Sequence, residues 1–431
     1  MDLNLSQMLP LVVPLLLLAI LIFKFPELGL VLCLVVGSLF KGLIQPLLGD
    51  IDITVYLFAV TYGSIFIRSC VDKKLALPDL KINIGVLLLI GFLLASLFYT
   101  PLHEQGTEVV LRFVFLNVSI MYAIFMWCTD INRIKRLLSI FVGVILAYST
   151  TLIVWVFFIQ HGVHPSLRAA LTETPSLGVA QFLAAAIVAA FALRGFISGK
   201  YKRLALNLLI IIGVVELIAL NSRGPLIAFV VGAICLFFLY SPRNRVKIIV
   251  FSTVIVVVLV LAFILLPEQY TGRYALLTNL ESGSVAARLS MWQFVAAHFS
   301  DWFFTGAGVF GFAYYYCPGQ AELSIWGAYP HNVFLDIFAA VGFFGLLVFV
   351  WLIGSLIYRG IKTSRIGEQS SRLLGLATVV PLIVFLVAGL FSMSIIGTRP
   401  LWFFGGVLLS LEWLRAKRSE ENVAGPTKVK E

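Results

Sequence analysis

Apolar runs of close to twenty residues recur along this chain, the length a helix needs to cross roughly 30 Å of hydrocarbon at 1.5 Å per residue. They fall near 9–23, 28–47, 51–67, 82–99, 108–127, 137–159, 176–194, 204–220, 225–240, 248–266, 331–358, 373–394 and 400–414. A membrane β-barrel would show ten-residue segments of alternating polarity instead, and none is present. Only 12% of the 431 residues are charged and mean hydropathy is +1.03, whereas a soluble domain carries about 25% charge. The expected fold is all-α, a polytopic integral membrane protein of about 12–13 transmembrane helices.

The basic residues set its orientation. Of 31 Lys and Arg, all but Lys41, Arg112, Arg168, Arg223, Arg273, Arg288 and Arg399 fall in short loops or the tail on one side of the membrane. The main basic connections, 68–81, 130–136, 194–203, 241–247, 359–372 and the tail after Leu414, come at every second crossing. The positive-inside rule makes that side cytoplasmic and explains the +10 net charge without nucleic acid. The chain divides into N-terminal membrane helices (1–203), a membrane core (204–414) that includes a long outer loop at 267–330, and a basic cytoplasmic tail (415–431). If all 13 runs cross, the N-terminus lies outside. Lys41, followed by Pro46 and Gly49, interrupts the second run, and a re-entrant segment there gives 12 crossings and a cytoplasmic N-terminus. The run Leu9–Phe23 has no basic n-region and no small-residue cleavage site, so it reads as a membrane segment rather than a signal peptide. The five cysteines are too scattered for a disulfide framework.

The outer side holds the candidates for chemistry. Arg223, in Asn221-Ser222-Arg223-Gly224, sits at a tight turn before Pro225. It is either an interfacial arginine snorkelling to headgroups or a guanidinium fork for phosphate oxygens. Glu216 lies two helical turns earlier on the same face, where it is a candidate to orient Arg223. In the 267–330 loop, Val285, Leu289, Trp292, Ala296 and Phe299 repeat at 4-3-4-3 spacing, the pattern of an amphipathic helix along the outer leaflet or over a cavity mouth. Arg288 and Trp292 share a face of that helix, as a cation–π pair or with Arg288 as a second phosphate cation. Arg273 is a weaker cation in the same loop. His331, with Asn332 and Asp336 close behind it, opens the next long run, and histidine is the side chain suited to proton transfer near neutral pH.

Three other patterns carry less. Gly306-Ala307-Gly308-Val309-Phe310-Gly311 has dinucleotide-fingerprint spacing but follows no strand, so its glycines are expected to permit a tight chain reversal. His161 and His164 lack further ligands, and no metal site is expected. Asn117-Val118-Ser119 is a sequon inside a membrane run, without meaning as a glycosylation signal. No internal repeat is visible, which weighs mildly against transporter folds.

From about residue 205 to 400 the chain resembles the O-antigen ligase/polymerase family of bacterial envelope glycosyltransferases. The resemblance rests on Ser222-Arg223-Gly224 at an outer helix junction, Arg288 and Trp292 in the long outer loop, and Thr305-Gly306-Ala307-Gly308 before an aromatic stretch. His331-Asn332 and Leu335, with Gly342 and Gly345 in the following helix, complete it. It implies an enzyme of the bacterial inner membrane, with its site facing the periplasm and a glycan on undecaprenyl diphosphate as donor. The acceptor hydroxyl would be on a lipid A core (ligase) or another lipid-linked glycan (polymerase). It further implies metal-independent, inverting transfer without a cofactor. Arg223 and Arg288 would stabilise the departing diphosphate, and His331 would act as base or orienter for the acceptor. Trp292, Asn332, Arg273 and Arg399 are expected to contact substrate, with Glu216 and Asp336 in support. The competing class is a lipid-linked oligosaccharide flippase, which should carry charges deep in both halves; here the suspicious residues gather at one face.

Overall fold

The computed structural model describes residues 5–36, 39, 52–71, 78–154, 176–240, 249, 253, 257, 260, 261, 264, 283–318 and 329–424. Among these there are helices and turns and no strand. Leu5–Lys24 (α1) and Pro26–Val35 (α2) are bent against each other by 119°. Then come Ile53–Val71 (α3), Leu80–Ser96 (α4), His103–Arg112 (α5) and Ser119–Trp127 (α6), the last two joined by a π-helical turn at Phe113–Val118. Ile131–Val154 (α7), Ser176–Leu193 (α8), Lys200–Ala219 (α9) and Arg223–Leu239 (α10) lead to the outer loop. That loop holds Gly283–Ala297 (α11), Phe299–Trp302 (α12) and Gly311–Tyr316 (α13). Val333–Arg365 (α14), Gln369–Ser392 (α15) and Arg399–Ala424 (α16) close the chain. Six helices among the described residues are long and apolar enough to span a membrane, and α4 and α10 are shorter apolar helices. The protein is an all-α polytopic membrane protein. The expected crossing at 248–266 and the loops at 160–175 and 267–282 lie largely or wholly outside the described residues.

The core forms around α15, which packs on α8, α10, α14 and α16. Ala-rich α8 is apolar on every side and buried on nearly every side, as such a helix must be. Small residues let the backbones close up where lipid gives no hydrophobic drive. At Gly232 of α10, an added Cβ would stand 2.5 Å from Val384 of α15 and 3.3 Å from Val188 of α8.

Long-range polar contacts sort the connections into two ends. At one end Arg359 pairs with Asp79 and Glu412, Arg418 with Glu368, and Arg68 bonds the Phe23 carbonyl and lies over Trp127. At the other, Tyr99 bonds the Thr305 carbonyl, Thr100 the Val309 carbonyl, and Asp336 the Ile395 amide. These are the basic set and the outer set of loops read from the sequence, called below the inner and outer ends.

The α11 stripe is largely exposed, and a second apolar face of the helix does the packing. The expected face places Leu289, Ala296 and Phe299 outward, all exposed. The face packed on the protein is Met291, Phe294 and Val295, which with Trp302, Phe312 and Phe338 make a small second core. The helix is apolar on both faces, so periodicity alone does not pick the buried one. Its exposed stripe suits a helix lying along the outer leaflet.

Candidate functional site

The outer end is organised around a break in α14. Gly342 has φ +71 and ψ −169, which stops the helical ladder after Val341 and restarts it at Phe343. The break frees a carbonyl and an amide, and the 303–308 loop takes both. Ala307 N–H donates to the Ala339 carbonyl (2.6 Å), and Phe343 N–H donates to the Phe303 carbonyl (2.8 Å). The loop lies so close that a Cβ on Gly306 would stand 2.7 Å from Ala339 O, and one on Gly342 2.6 Å from Phe304 O. The loop's other side docks on the end of α4. Thr100 Oγ1 donates to the Val309 carbonyl (2.7 Å), and Val309 N–H donates to Ser96 Oγ (3.3 Å). The glycines of the rejected fingerprint therefore serve a chain reversal pressed against two backbones.

The short helix left above the break, Val333–Val341, begins with the predicted histidine motif. Asn332 is its N-cap, with Oδ1 accepting from Phe334 N–H (3.0 Å) and Leu335 N–H (3.3 Å), a structural duty. His331 stands before it in the left-handed region (φ +54), its ring 4.2 Å from that of Tyr329. His331 Nδ1 is buried and makes no hydrogen bond. Trp292 Nε1 donates to the Pro330 carbonyl (2.8 Å) and so fastens α11 to the segment that carries His331. Arg288 is one turn from Trp292, near enough for its charge to act on both His331 and Tyr329. Burial first, and then the Arg288 charge, push the His331 imidazole down to about 4, so it is neutral at pH 7. Burial, reinforced by Asp336 and opposed by Arg288, pushes the Tyr329 phenol up to about 12.

Asp336 does not pair with His331 by a hydrogen bond. Its Oδ2 accepts from Ile395 N–H (2.8 Å), while the Ile395 carbonyl accepts from Asn117 Nδ2 (3.0 Å). Asn117 Nδ2 also reaches the Ile396 carbonyl (2.9 Å) and Thr398 Oγ1 (3.2 Å). The residue set aside as a meaningless sequon is thus a clamp in the π-helical turn, a feature frequent at functional sites. A narrow cleft of about 30 Å³, lined by Gly308, Phe310, Tyr329, Asp336, Ser394 and Ile395, lies where these pieces meet. That is room for a water or two rather than a sugar.

The other predicted residues separate. Arg223 opens α10 at the same outer end, where its neighbour Gly224 packs on Phe391 (3.1 Å from an added Cβ), three residues before the cleft-lining Ser394. Glu216 is fully buried and neither carboxylate oxygen makes a hydrogen bond, so it does not orient Arg223 as expected. A shared helical face failed as a guide because α9 ends at Ala219 and Asn221 turns the chain in the left-handed region (φ +53). Arg399 reaches α2 and α3: its Nη1 donates to the Cys33 carbonyl (2.8 Å) and its guanidinium lies 5.2 Å from the Phe58 ring centroid. Arg273, His161 and His164 are outside the described residues. Among the described residues, the non-glycine positions with left-handed φ are Asn221, Phe310 and His331, all at this end. Such strain gathers where surrounding structure imposes it, commonly at working sites.

The outer end of this membrane-embedded helical bundle thus draws an arginine, an indole and a histidine together. Residues 208–350 match the family model described as O-antigen ligase, which supports that family for this part of the chain. The match runs from α9 into α14, so it includes Arg223, Arg288, Trp292, His331 and Asp336 and leaves out Asn117 and the 393–399 segment. No curated protein matches the chain. The family is one of glycan transfer in membranes.

Proposed function

We propose that this chain is a glycosyltransferase of the bacterial inner membrane that moves a glycan from undecaprenyl diphosphate to an acceptor hydroxyl. Its C-terminal tail is cytoplasmic and its site faces the periplasm. One observation carries the reading: the Trp292–Pro330 hydrogen bond, 2.8 Å long, holds the helix bearing Arg288 against the segment bearing His331. A cation for the leaving diphosphate and a neutral base for the incoming hydroxyl are the two groups such a transfer needs.

In this reaction the acceptor oxygen attacks the anomeric carbon, the bond from that carbon to the diphosphate oxygen breaks, and the configuration inverts. The hydroxyl proton passes to the His331 imidazole, and the electron pair leaves on the diphosphate, where Arg288 and Arg223 stabilise it in place of a metal. The two roles are coupled. A bound diphosphate offsets the Arg288 charge that depresses His331, so the base strengthens when the donor is present.

The test uses full-length protein in liposomes, an undecaprenyl-diphosphate oligosaccharide, a chelator, and either lipid A core or excess donor as acceptor. Release of undecaprenyl diphosphate with a modified core identifies a ligase; release with longer lipid-linked chains identifies a polymerase. His331→Ala, Arg288→Ala and Arg223→Ala should each stop release while keeping the thermal unfolding of the parent. Full turnover in all three would sink the site. Donor crossing the bilayer without release would replace the enzyme with a flippase.

A further inference from the structure

Starting at the inner end of the bundle, an open groove of about 560 Å³ lies between α7, α8 and α9. Its walls are apolar, with Val142, Leu146, Ala190, Leu193 and Leu206 among them. Gly143 lines it too, and an added Cβ there would meet nothing within 4 Å. Thr150 and Thr151 also border it, but each hydroxyl donates back into its own helix, to the carbonyls of Leu146 (2.8 Å) and Ala147 (2.9 Å). From Lys135 to Thr151 the groove follows α7 for about 24 Å, at 1.5 Å per residue. A slot so long, narrow and apolar has the shape of a fatty-acyl chain.

Its inner mouth is cationic. Lys135 lines the groove, with Nζ 4.8 Å from the ring centroid of Phe196, another lining residue. Arg203 Nε donates to the carbonyl of lining residue Ile197 (2.9 Å). Arg194, Lys200 and Lys202 belong to the same connection, and no acidic residue occurs from 194 to 209. Two acids at this end have partners of their own: Asp130 pairs with Arg133 (3.2 Å) and Glu27 with Arg136 (3.1 Å).

We propose that the groove binds one anionic glycerophospholipid, with an acyl chain along Gly143 and Leu146 and the phosphate at Lys135 and Arg203. Basic pockets between membrane helices on the cytoplasmic side recognise lipid headgroups in this way. The lipid fills a gap that the described helices leave between themselves. It acts at the end of the bundle opposite the His331 cleft, so the inference does not depend on the proposed reaction.

Native mass spectrometry of the delipidated full-length protein, titrated with phosphatidylglycerol or phosphatidylcholine of the same chains, tests it. One phosphatidylglycerol should bind at concentrations where phosphatidylcholine does not. Gly143→Phe should fill the slot and lose the lipid, whereas Gly91→Phe, at another glycine with nothing within 4 Å of an added Cβ, should keep it. Lys135→Gln should weaken binding roughly fivefold, the factor that about 1 kcal/mol per cation gives. The proposal is overturned by equal binding of phosphatidylcholine or by Gly143→Phe binding like the parent. Displacement of the lipid by glycerol 3-phosphate, or no retained lipid because another stretch of the chain fills the slot, overturns it as well.

Discussion

The two ends of the bundle hold their polar groups differently. At the inner end guanidinium groups meet carboxylates: Arg359 bridges Asp79 (2.8 Å) and Glu412, and Arg136 reaches Glu27 (3.1 Å). These pairs tie α14 to α16 and the start of α4, and α7 to α2. At the outer end several of the long-range contacts among the described residues go to backbone: Asp336 to the Ile395 amide, Asn117 to the Ile395 and Ile396 carbonyls, Trp292 to the Pro330 carbonyl. Among the described residues, the ion pair Arg112–Glu108 at this end lies within one helix. Backbone contacts fix positions more narrowly than flexible ion pairs do, which is what a site needs if its groups must hold their geometry before substrate arrives.

That contrast is broken most directly by exchanging the ends. Arg288→Ala at the outer end should reduce turnover by about 10²–10³-fold, the usual cost of losing a charge-stabilising donor, with little change in thermal unfolding. Arg359→Ala at the inner end should do the reverse, keeping turnover but lowering stability by about 1–2 kcal/mol, because its two carboxylate partners are partly exposed. Equal effects of the two variants on stability would erase the distinction. A second test lies within α14. Gly342→Ala must hold φ +71 with its Cβ 2.6 Å from Phe304 O, a strain of about 1–3 kcal/mol before any clash. It should undock the 303–308 loop and expose it to protease, while Gly354→Ala, with open space around it, should be neutral or slightly stabilising. A smaller effect is expected for Asn117→Ala. Coupling through the Ile395 peptide predicts that Asn117→Ala and Asp336→Asn are non-additive by about 0.5–3 kcal/mol in a double-mutant cycle on turnover. Additive effects would mean that Asn117 supports only the fold.

Much of this was legible in the sequence. Apolar run length and the alternation of basic loops gave the fold class and the grouping of loops into two ends, because both follow from the bilayer rather than from particular partners. Arg288, Trp292 and His331 were legible as a set because each sits at a marked place: an i,i+4 pair, a helix start. What escaped depends on contacts far apart in the chain. Asn117 meets residues 278–281 positions away, and only its cost inside a membrane run hinted at a partner. Gly342 looked like a small packing residue, since nothing local shows that a loop thirty-odd residues earlier supplies the bonds its break leaves open. Arg399 and Glu216 were grouped by side and by face, and neither property fixes which neighbour a side chain reaches.

The finest test of the outer end concerns one proton. His331 titrates at about 4, against 6.5 for a free imidazole, with burial the larger cause and Arg288 the smaller. Removing the cation in Arg288→Gln should therefore raise the His331 midpoint while leaving it below 6.5, because burial remains. Selective histidine labelling and NMR titration would read the shift. No movement would show that the two groups are not coupled, and with it the idea that diphosphate strengthens the base would fall. The same depression has a sign in stability. Between about 4 and 6.5 the unfolded chain holds a proton on this imidazole and the folded one does not, so stability should fall as pH drops through that window. His331→Gln has no such group, and its unfolding temperature should decline less between pH 7 and 5 than that of the parent. Parallel declines would place the acid sensitivity in groups other than His331.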